Sequence, residues 1–210
     1  MTTRFVTATI RYLVPTGSTP VYIASQGGAD AALNIGADFE DREVEIHDAR
    51  LLAAPAELDR EGFELRPHQT AVADFYQIDQ VREAYDREVT ALVLAATGAQ
   101  EAIVFDHTLR SDSRTIRGAR NTREPASVIH NDYTDASATK RLKDLLPADQ
   151  AQVRLHKRFA IVNVWRSING TILDSALACC DARSLATDDL VASERRAAER
   201  VGELQLVSWN

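Results

Sequence analysis

Residues 125–134 read Pro-Ala-Ser-Val-Ile-His-Asn-Asp-Tyr-Thr, an apolar β-type run that ends in a short polar segment. Side chains at positions i and i+2 of a strand point to the same side of the sheet. We therefore expect the imidazole of His130 and the carboxylate of Asp132 to converge, while Asn131 points away. A histidine and a carboxylate on one face supply two arms of the facial 2-His-1-carboxylate triad, which leaves open positions on Fe(II).

A His-x-Asp pattern alone is a weak signal, because it often arises by chance, so its sequence context decides how it is interpreted. The accompanying motifs lie, in chain order, at 62–65, 74–76, 97–99, 104–108 with Arg110, 128–134, 158–166, 174–184, 189–190 and 202–203. The most specific are Asn163-Val-Trp-Arg166 and Cys180-Asp-Ala-Arg-Ser184. This succession resembles the family of non-haem iron hydroxylases and desaturases of specialised metabolism, which includes gibberellin desaturase, the hydroxylase component of cephamycin 7α-methoxylation and meroterpenoid oxygenases.

The resemblance implies an Fe(II)/2-oxoglutarate-dependent oxygenase that hydroxylates or desaturates a small secondary metabolite. In that interpretation His130 and Asp132 bind Fe(II), 2-oxoglutarate is the co-substrate and dioxygen is the oxidant. His107, in the Phe-Asp-His-Thr motif, is the catalytic candidate on the substrate side. A histidine in a strand is more often a hydrogen-bonded core group. A non-catalytic small-molecule-binding pseudo-oxygenase with an incomplete metal site is the alternative that stays open.

Four more residues are candidates for binding the co-substrate. Thr134 lies on the same strand face as Asp132, so its hydroxyl is expected within reach of a co-substrate carboxylate. Asn163 and Trp165 share one face of their segment and are placed toward the cavity. Arg166 can pair with a carboxylate through its planar guanidinium fork. For each of them the structural alternative is a buried residue that is satisfied by the backbone.

The third metal ligand is not identified by these motifs. In the resembling family it is a histidine a few residues beyond the strand that follows Gly-Glu, and this sequence reaches Asn210 just before that point. We therefore expect residues 1–210 to be a single oxygenase-like domain that lacks its C-terminal barrel strands. His156 is the only histidine after Asp132, and its polar helical surroundings argue against a ligand role.

The composition of the 210-residue chain restricts its partners. A net charge of −7 and a pI near 5.3 argue against nucleic-acid binding, which needs a basic surface. No apolar run approaches the roughly 20 residues that span a bilayer, and the N-terminus has no signal-peptide core. Cytoplasmic residence without a membrane partner is expected, and a homodimer stays open. The adjacent Cys179 and Cys180 are badly placed for a disulfide and are interpreted as reduced strand residues.

Hydrophobic periodicity predicts the elements of the fold. Alternation predicts strands over 6–14, 42–48, 102–108, 159–165, 177–180 and 203–209. Helical spacing predicts a helix that starts at Asp79 and stops at Gly98, one over 137–146, and a short one that runs toward Lys157. Helices occupy the first half of the chain and strands dominate the second half. This order indicates a mainly β fold with flanking helices, a distorted double-stranded β-helix (jelly roll, cupin-like).

The segment from Arg110 to Arg123 is rich in arginine and has two interpretations. Arg114, Arg117 and Arg120 stand three residues apart, so a helical turn places them on one face. A solvated loop is the first interpretation. A mobile lid that contacts an anionic substrate is the second, since long loops in compact domains are often functional.

Overall fold

The computed structural model of the chain describes residues 5–197 and 200–210. The strands are β1 (Phe5–Leu13), β2 (Val21–Ile23), β3 (Asn34–Gly36), β4 (Phe39–His47), β5 (His130–Asn131), β6 (Leu190–Ala197) and β7 (Arg200–Val207). The α-helices are α1 (Ile78–Thr97), α2 (Arg114–Arg120), α3 (Asp135–Leu145) and α4 (Ala148–Leu155). Short 3₁₀ helices lie at Ala49–Leu51, Phe75–Gln77, Ala182–Ser184 and Thr187–Asp189.

The strands form two sheets. β1 and β4 pair antiparallel as a ribbon, from Phe5 opposite His47 to Leu13 opposite Phe39. The second sheet has the order β3-β2-β6-β7-β5, in which β2 and β6 are parallel and the other pairs are antiparallel. A bridge from Leu13 to Ser208 joins the end of β1 to the chain just after β7. The short strand β5 therefore lies at the edge of the larger sheet, against β7.

Two hydrophobic clusters hold these elements together. The first lies where β1 meets the larger sheet and contains Leu13, Tyr22, Val128, Leu204 and Leu206. The second packs α1 against the chain that precedes it, through Val72, Phe75, Tyr85 and Val89. Burial of these side chains is the main favourable contribution to folding. The first cluster lies directly beneath the segment that carries His130.

The helix predicted from the spacing of apolar residues is confirmed. α1 runs from Ile78 to Thr97, and its apolar face buries Tyr85 and Val89. Gly98 ends it with a φ of 66°, and the Gly98 amide donates to the carbonyl of Leu94. Glycine adopts this left-handed conformation without the steric cost that a Cβ brings. The strand predictions over 6–14, 42–48 and 203–209 and the two later helix predictions are also confirmed, within a few residues at each end.

Three strand predictions are wrong. Residues 102–108, 159–165 and 177–180 form no strand and have no ladder partner in the described part of the chain. β6 pairs with β7 along its whole length, whereas β5 pairs only with Gln205 and Leu206 of β7. Exposure of Trp165 (50%) and Leu177 (53%) shows that these segments are not core strands. An alternating pattern becomes a strand only where another strand completes its hydrogen bonds.

The cysteine interpretation is partly wrong. Cys179 and Cys180 are free thiols, but both are exposed and lie outside any described strand. The β-type run over 125–129 does not form a strand, since β5 covers only His130 and Asn131. Val128 is nevertheless buried in the first cluster, and its burial holds the residues just before His130 against the core.

The arginine-rich segment is folded. Seven of its residues form α2, and the Ser113 hydroxyl caps the helix by accepting from the Ile116 amide. Arg117 donates to the carbonyl oxygens of Ser111 and Asp112, at 3.0 and 2.7 Å. The Arg120 guanidinium lies 4.9 Å from the centre of the Tyr76 ring. The solvated-loop interpretation therefore does not describe this segment, and a lid role stays a prediction.

A bilayer crossing needs a long apolar helix, and none is found in residues 5–197 and 200–210.

Candidate metal and co-substrate site

The position of His130 is fixed by its strand and by its ring hydrogen bond. It lies on β5 directly opposite Leu206, a fully buried residue of β7. Its Nδ1 lies 2.9 Å from the carbonyl oxygen of Val128. A carbonyl oxygen only accepts, so Nδ1 is assigned a proton, and Nε2 is the ring nitrogen that is left to face Asp132. Metal-binding histidines commonly have their second nitrogen held in this way.

Asp132 faces the Nε2 atom of His130. Its Oδ1 lies 3.6 Å from His130 Nε2, and its Oδ2 accepts a 2.6 Å hydrogen bond from the side-chain amide of Asn163. The convergence expected from the i, i+2 spacing is therefore present. Asn163 lies outside any helix or strand, 31 residues further along the chain, and it fixes which carboxylate oxygen faces the imidazole.

The pair stabilises its own charged forms. The protonated imidazole of His130 lowers the pKa of Asp132 to about 2, against the opposing effect of burial, and the hydrogen bond from Asn163 adds to the lowering. In return, the Asp132 carboxylate raises the pKa of His130, so a metal that binds at Nε2 displaces a proton. Asp132 is therefore an anionic oxygen donor at neutral pH, the form in which a carboxylate binds a metal.

Two contacts with β7 hold the chain on either side of Asp132. The Asn131 side-chain amide donates to Gln205 Oε1 at 2.8 Å. The Thr134 hydroxyl donates to Glu203 Oε2 at 2.7 Å and caps α3 by accepting from the Ser137 amide. The buried Thr134 hydroxyl thus has protein partners already, and its contact with a co-substrate stays a prediction.

A cavity of about 30 Å³ adjoins His130 and Asp132. Its polar lining includes residues that the sequence motifs did not single out as site residues: Tyr22, Ser25, Arg110, Arg123, Glu124 and Arg195. The Ser25 hydroxyl donates to the buried Glu124 carboxylate at 2.6 Å, and Arg110 donates to the Glu124 carbonyl at 2.7 Å. The sequence offered only one indication of Arg195, its position in the charged strand β6. That strand looks solvent-exposed from its sequence alone, because its partners β2 and β7 are not evident there.

His107 and Arg166 meet at a different place, around Tyr85 of α1. His107 Nε2 lies 2.6 Å from Asp86 Oδ1, and its ring is 5.8 Å from that of Tyr85. The Arg166 guanidinium lies 6.0 Å from the Tyr85 ring and contacts Nδ1 of His68 at 3.3 Å. The structure therefore groups these two candidates with each other. Their roles toward substrate and co-substrate stay predictions, as does that of the half-exposed Trp165.

The described residues bring two candidate metal ligands, His130 and Asp132, close together. The 3.6 Å between His130 Nε2 and Asp132 Oδ1 is within the roughly 4.2 Å span of two donors that each lie about 2.1 Å from one ion. Across 5–197 and 200–210, no group of three or more His, Cys, Asp or Glu side chains is spaced to hold a metal. His156 lies at the C-terminal end of α4 beside Gln152. His130 and Asp132 thus fit two of the three positions of a facial 2-His-1-carboxylate site.

We expect Asn163→Ala to weaken divalent-metal binding by about 10- to 100-fold, because residues that orient a ligand contribute that much to metal affinity. Mn(II) binding measured by electron paramagnetic resonance checks this without turnover. Asn169→Ala is the matched control, since Asn169 lies in the same part of the chain and its amide donates to the Tyr76 hydroxyl instead. Equal Mn(II) affinities in the two variants would contradict an orienting role for Asn163.

Comparison with known proteins identifies the family. Residues 10–210 match the family model described as oxidoreductase/YMDC permease-like domain. The chain is 33% identical to a hydroxylase/desaturase, CTB9, of Cercospora beticola, over 72% of this chain and 50% of the relative. It is 32% identical to an Fe(II)/2-oxoglutarate-dependent dioxygenase, nvfI, of Aspergillus novofumigatus, over 70% of this chain and 54% of the relative. The chain thus spans about half the length of these relatives.

The fold is likewise shared with a solved structure. An iron and alpha-ketoglutarate-dependent endoperoxidase, NvfI, superposes with a TM-score of 0.70 at 22% identity, over 100% of this chain and 77% of the other. This likeness confirms the predicted jelly-roll class with flanking helices. The family match, together with relatives named hydroxylase/desaturase and Fe(II)/2-oxoglutarate-dependent dioxygenase, confirms the resemblance seen in the motifs. The chain therefore belongs to the oxidoreductase/YMDC permease-like family, and its relatives include proteins named hydroxylase/desaturase and Fe(II)/2-oxoglutarate-dependent dioxygenase.

Proposed function

We propose that this protein is an Fe(II)/2-oxoglutarate-dependent oxygenase that hydroxylates or desaturates a small secondary metabolite, with dioxygen as oxidant. The observation that carries the proposal is the convergence of His130 Nε2 and Asp132 Oδ1 at 3.6 Å, with the imidazole held by the Val128 carbonyl. The names of the relatives support the reaction class. Residues 1–210 act as one oxygenase-like domain in this proposal.

Each residue of the pair has a defined task in this function. His130 presents a neutral Nε2 to the metal, and Asp132 presents an anionic oxygen whose direction is fixed by Asn163. The contacts of Asn131 and Thr134 with β7 keep the two donors in place when ligands exchange. Bound Fe(II) and 2-oxoglutarate together supply the activation of dioxygen.

The remaining candidates are assigned by the same proposal. Thr134, Asn163, Trp165 and Arg166 serve the co-substrate, and His107 serves the substrate side. The carboxylate of Asp86, 2.6 Å from the His107 ring, would orient that imidazole. Small-molecule substrates, and no nucleic acid, are the partners in this proposal. The free thiols of Cys179 and Cys180 are compatible with a reducing, cytoplasmic location.

A non-catalytic binding protein of the same fold is the second candidate. The observation that favours it is the number of candidate metal ligands. The described residues bring together the pair His130 and Asp132, and no group of three or more His, Cys, Asp or Glu side chains among them is spaced to hold a metal. Such a protein would bind a small molecule in the cavity beside His130 without using it in oxidation.

Anaerobic titration separates the two candidates. We expect Fe(II) and 2-oxoglutarate together to produce a visible charge-transfer band, and admission of air with substrate to produce succinate in a 1:1 ratio with oxidised product. Zn(II) in place of Fe(II) is the control and gives no band, because zinc has no accessible redox change. Absence of the band and of succinate would overturn the proposed oxygenase and favour the binding protein.

A further inference from the structure

The two thiols of this chain stand side by side, apart from the candidate iron ligands. Cys179 and Cys180 are the two cysteines of the sequence, and both are free and exposed. Neither lies in a described helix or strand, so no ladder holds their peptide unit in one conformation. The candidate iron ligands are a nitrogen of His130 and an oxygen of Asp132. The two sulfurs therefore form a pair with different chemistry from that site.

The residues that follow Cys180 hold its sulfur in a defined place. Asp181 caps a short 3₁₀ helix by accepting from the Arg183 amide at 3.0 Å. Cys180 Sγ lies 3.5 Å from Ser184 Oγ and 3.8 Å from the carbonyl oxygen of Asp181. One thiol is thus positioned at the start of this helix, and its neighbour precedes it on an unpaired stretch of backbone.

The charged groups beside the thiols are already paired with one another. Arg183 contacts Asp181 at 2.7 Å and Glu61 at 3.1 Å, and Glu61 also contacts Arg60 at 2.5 Å. Two guanidinium groups and two carboxylates balance in charge, so this cluster does not repel a cation. Both carboxylates are engaged with arginines, which leaves sulfur as the ligand type on offer at Cys179 and Cys180.

The two sulfurs are better suited to a bridging ion than to a disulfide. Partial desolvation raises the pKa of the Cys179 thiol, and the neighbouring Cys180 thiol adds to that rise, so the two groups are close enough to interact. A disulfide needs sulfurs about 2.05 Å apart, which adjacent residues reach only with strain. An ion that lies about 2.3 Å from each of two sulfurs allows them to stand up to about 4.6 Å apart.

The number of ligands selects the kind of ion. A structural zinc site needs four ligands, and an iron–sulfur cluster needs four thiolates, whereas this chain has two cysteines. Across residues 5–197 and 200–210, no group of three or more His, Cys, Asp or Glu side chains is spaced to hold a metal. Thiolates favour soft ions such as Cu(I), and Cu(I) is satisfied by two thiolates in a nearly linear arrangement.

We propose that Cys179 and Cys180 form a two-thiolate site for a soft cation of low coordination number, of the Cu(I) class. The ion takes the place of the two thiol protons, which pass to solvent. Each sulfur exchanges its S–H bond for a bond to the metal, and no electron is transferred. The proposal does not depend on the oxygenase reaction, because nitrogen and oxygen donors at His130 and Asp132 suit Fe(II) and sulfur donors suit Cu(I).

A competition titration of the reduced, full-length chain under anaerobic conditions tests the site. The protein is mixed with the coloured Cu(I)–bicinchoninate complex, and loss of its absorbance measures copper transfer. We expect wild type to take up one Cu(I) per chain. Cys179→Ser and Cys180→Ser should each weaken Cu(I) binding by at least about 100-fold, because loss of a ligand costs more than the 10- to 100-fold of an orienting residue. His156→Ala, which removes an exposed histidine and keeps both thiols, is the matched control and should bind Cu(I) like wild type.

A second measurement needs no variant. Wild type is treated with iodoacetamide before and after Cu(I) is added, and the number of alkylated thiols is read from the intact mass. We expect two alkylated thiols without copper and none in the copper-loaded chain. Gel filtration of the loaded protein should show an unchanged elution volume, because both ligands come from one chain.

The proposal is overturned if wild type takes no Cu(I) from bicinchoninate, if either serine variant binds Cu(I) as tightly as wild type, or if copper leaves the thiols open to alkylation. Copper uptake that doubles the apparent mass would also overturn it, since the two thiolates would then come from two chains. Mn(II) binding should be equal in wild type and both serine variants, because His130 and Asp132 are intact. Loss of the Fe(II)/2-oxoglutarate charge-transfer band would contradict the oxygenase and leave the copper result standing, so the two failures are distinguishable.

Discussion

Asp132→Ala is expected to lower succinate formation from 2-oxoglutarate by more than about 100-fold. Residues that only orient a metal ligand contribute about 10- to 100-fold, and loss of the ligand itself removes more. In this protein the substitution also removes the acceptor of Asn163 and the charge that faces His130. The measurement is substrate-dependent succinate release by the Fe(II)-supplemented protein, together with its iron content after gel filtration.

A surface aspartate provides the matched control for this prediction. Asp41 of β4 pairs with Arg11 at 3.4 Å in an exposed ion pair, and exposed pairs contribute little to stability. Asp41→Ala should therefore retain both iron and turnover. Wild-type turnover in Asp132→Ala, in a protein with a normal melting temperature, would exclude Asp132 as a metal ligand.

Leu206→Ala is expected to lower the free energy of unfolding by roughly 2–5 kcal/mol, the range for truncating a buried leucine. Leu206 is fully buried in the first cluster and lies opposite His130 across the β5–β7 ladder. The cavity left behind would remove packing beside the His130 side chain on the same face of the sheet, so metal affinity should fall with stability. Urea unfolding followed by circular dichroism measures the first effect, and Mn(II) titration measures the second.

Val201→Ala serves as the control on the same strand, because the Val201 side chain is 59% exposed. Truncation there removes little buried area and should change the free energy of unfolding by less than about 0.5 kcal/mol. A Leu206→Ala protein as stable as Val201→Ala would show that the first cluster does not support β5.

The sequence by itself determined the features that depend on neighbouring residues. The spacing of apolar residues specified α1, and Gly98 specified its end, because helix periodicity and the left-handed stop are both local properties. The i, i+2 placement of His130 and Asp132 likewise specified that the two groups converge. The motif succession indicated the family, the order of helices and strands indicated the jelly-roll class, and the comparisons confirm both.

The tertiary structure decided what depends on partners that are distant in the chain. Residues 159–165 and 177–180 carry a strand pattern, yet they form no strand, because their backbone finds no ladder among the described strands. Asn163 was singled out for the co-substrate, and only the fold shows its amide on Asp132. Arg195 reads as a surface charge until the register sets it opposite Gly202 and beside Tyr22. Strand pairing determines which face of a strand is buried. The sequence of one strand does not specify the strands that pair with it.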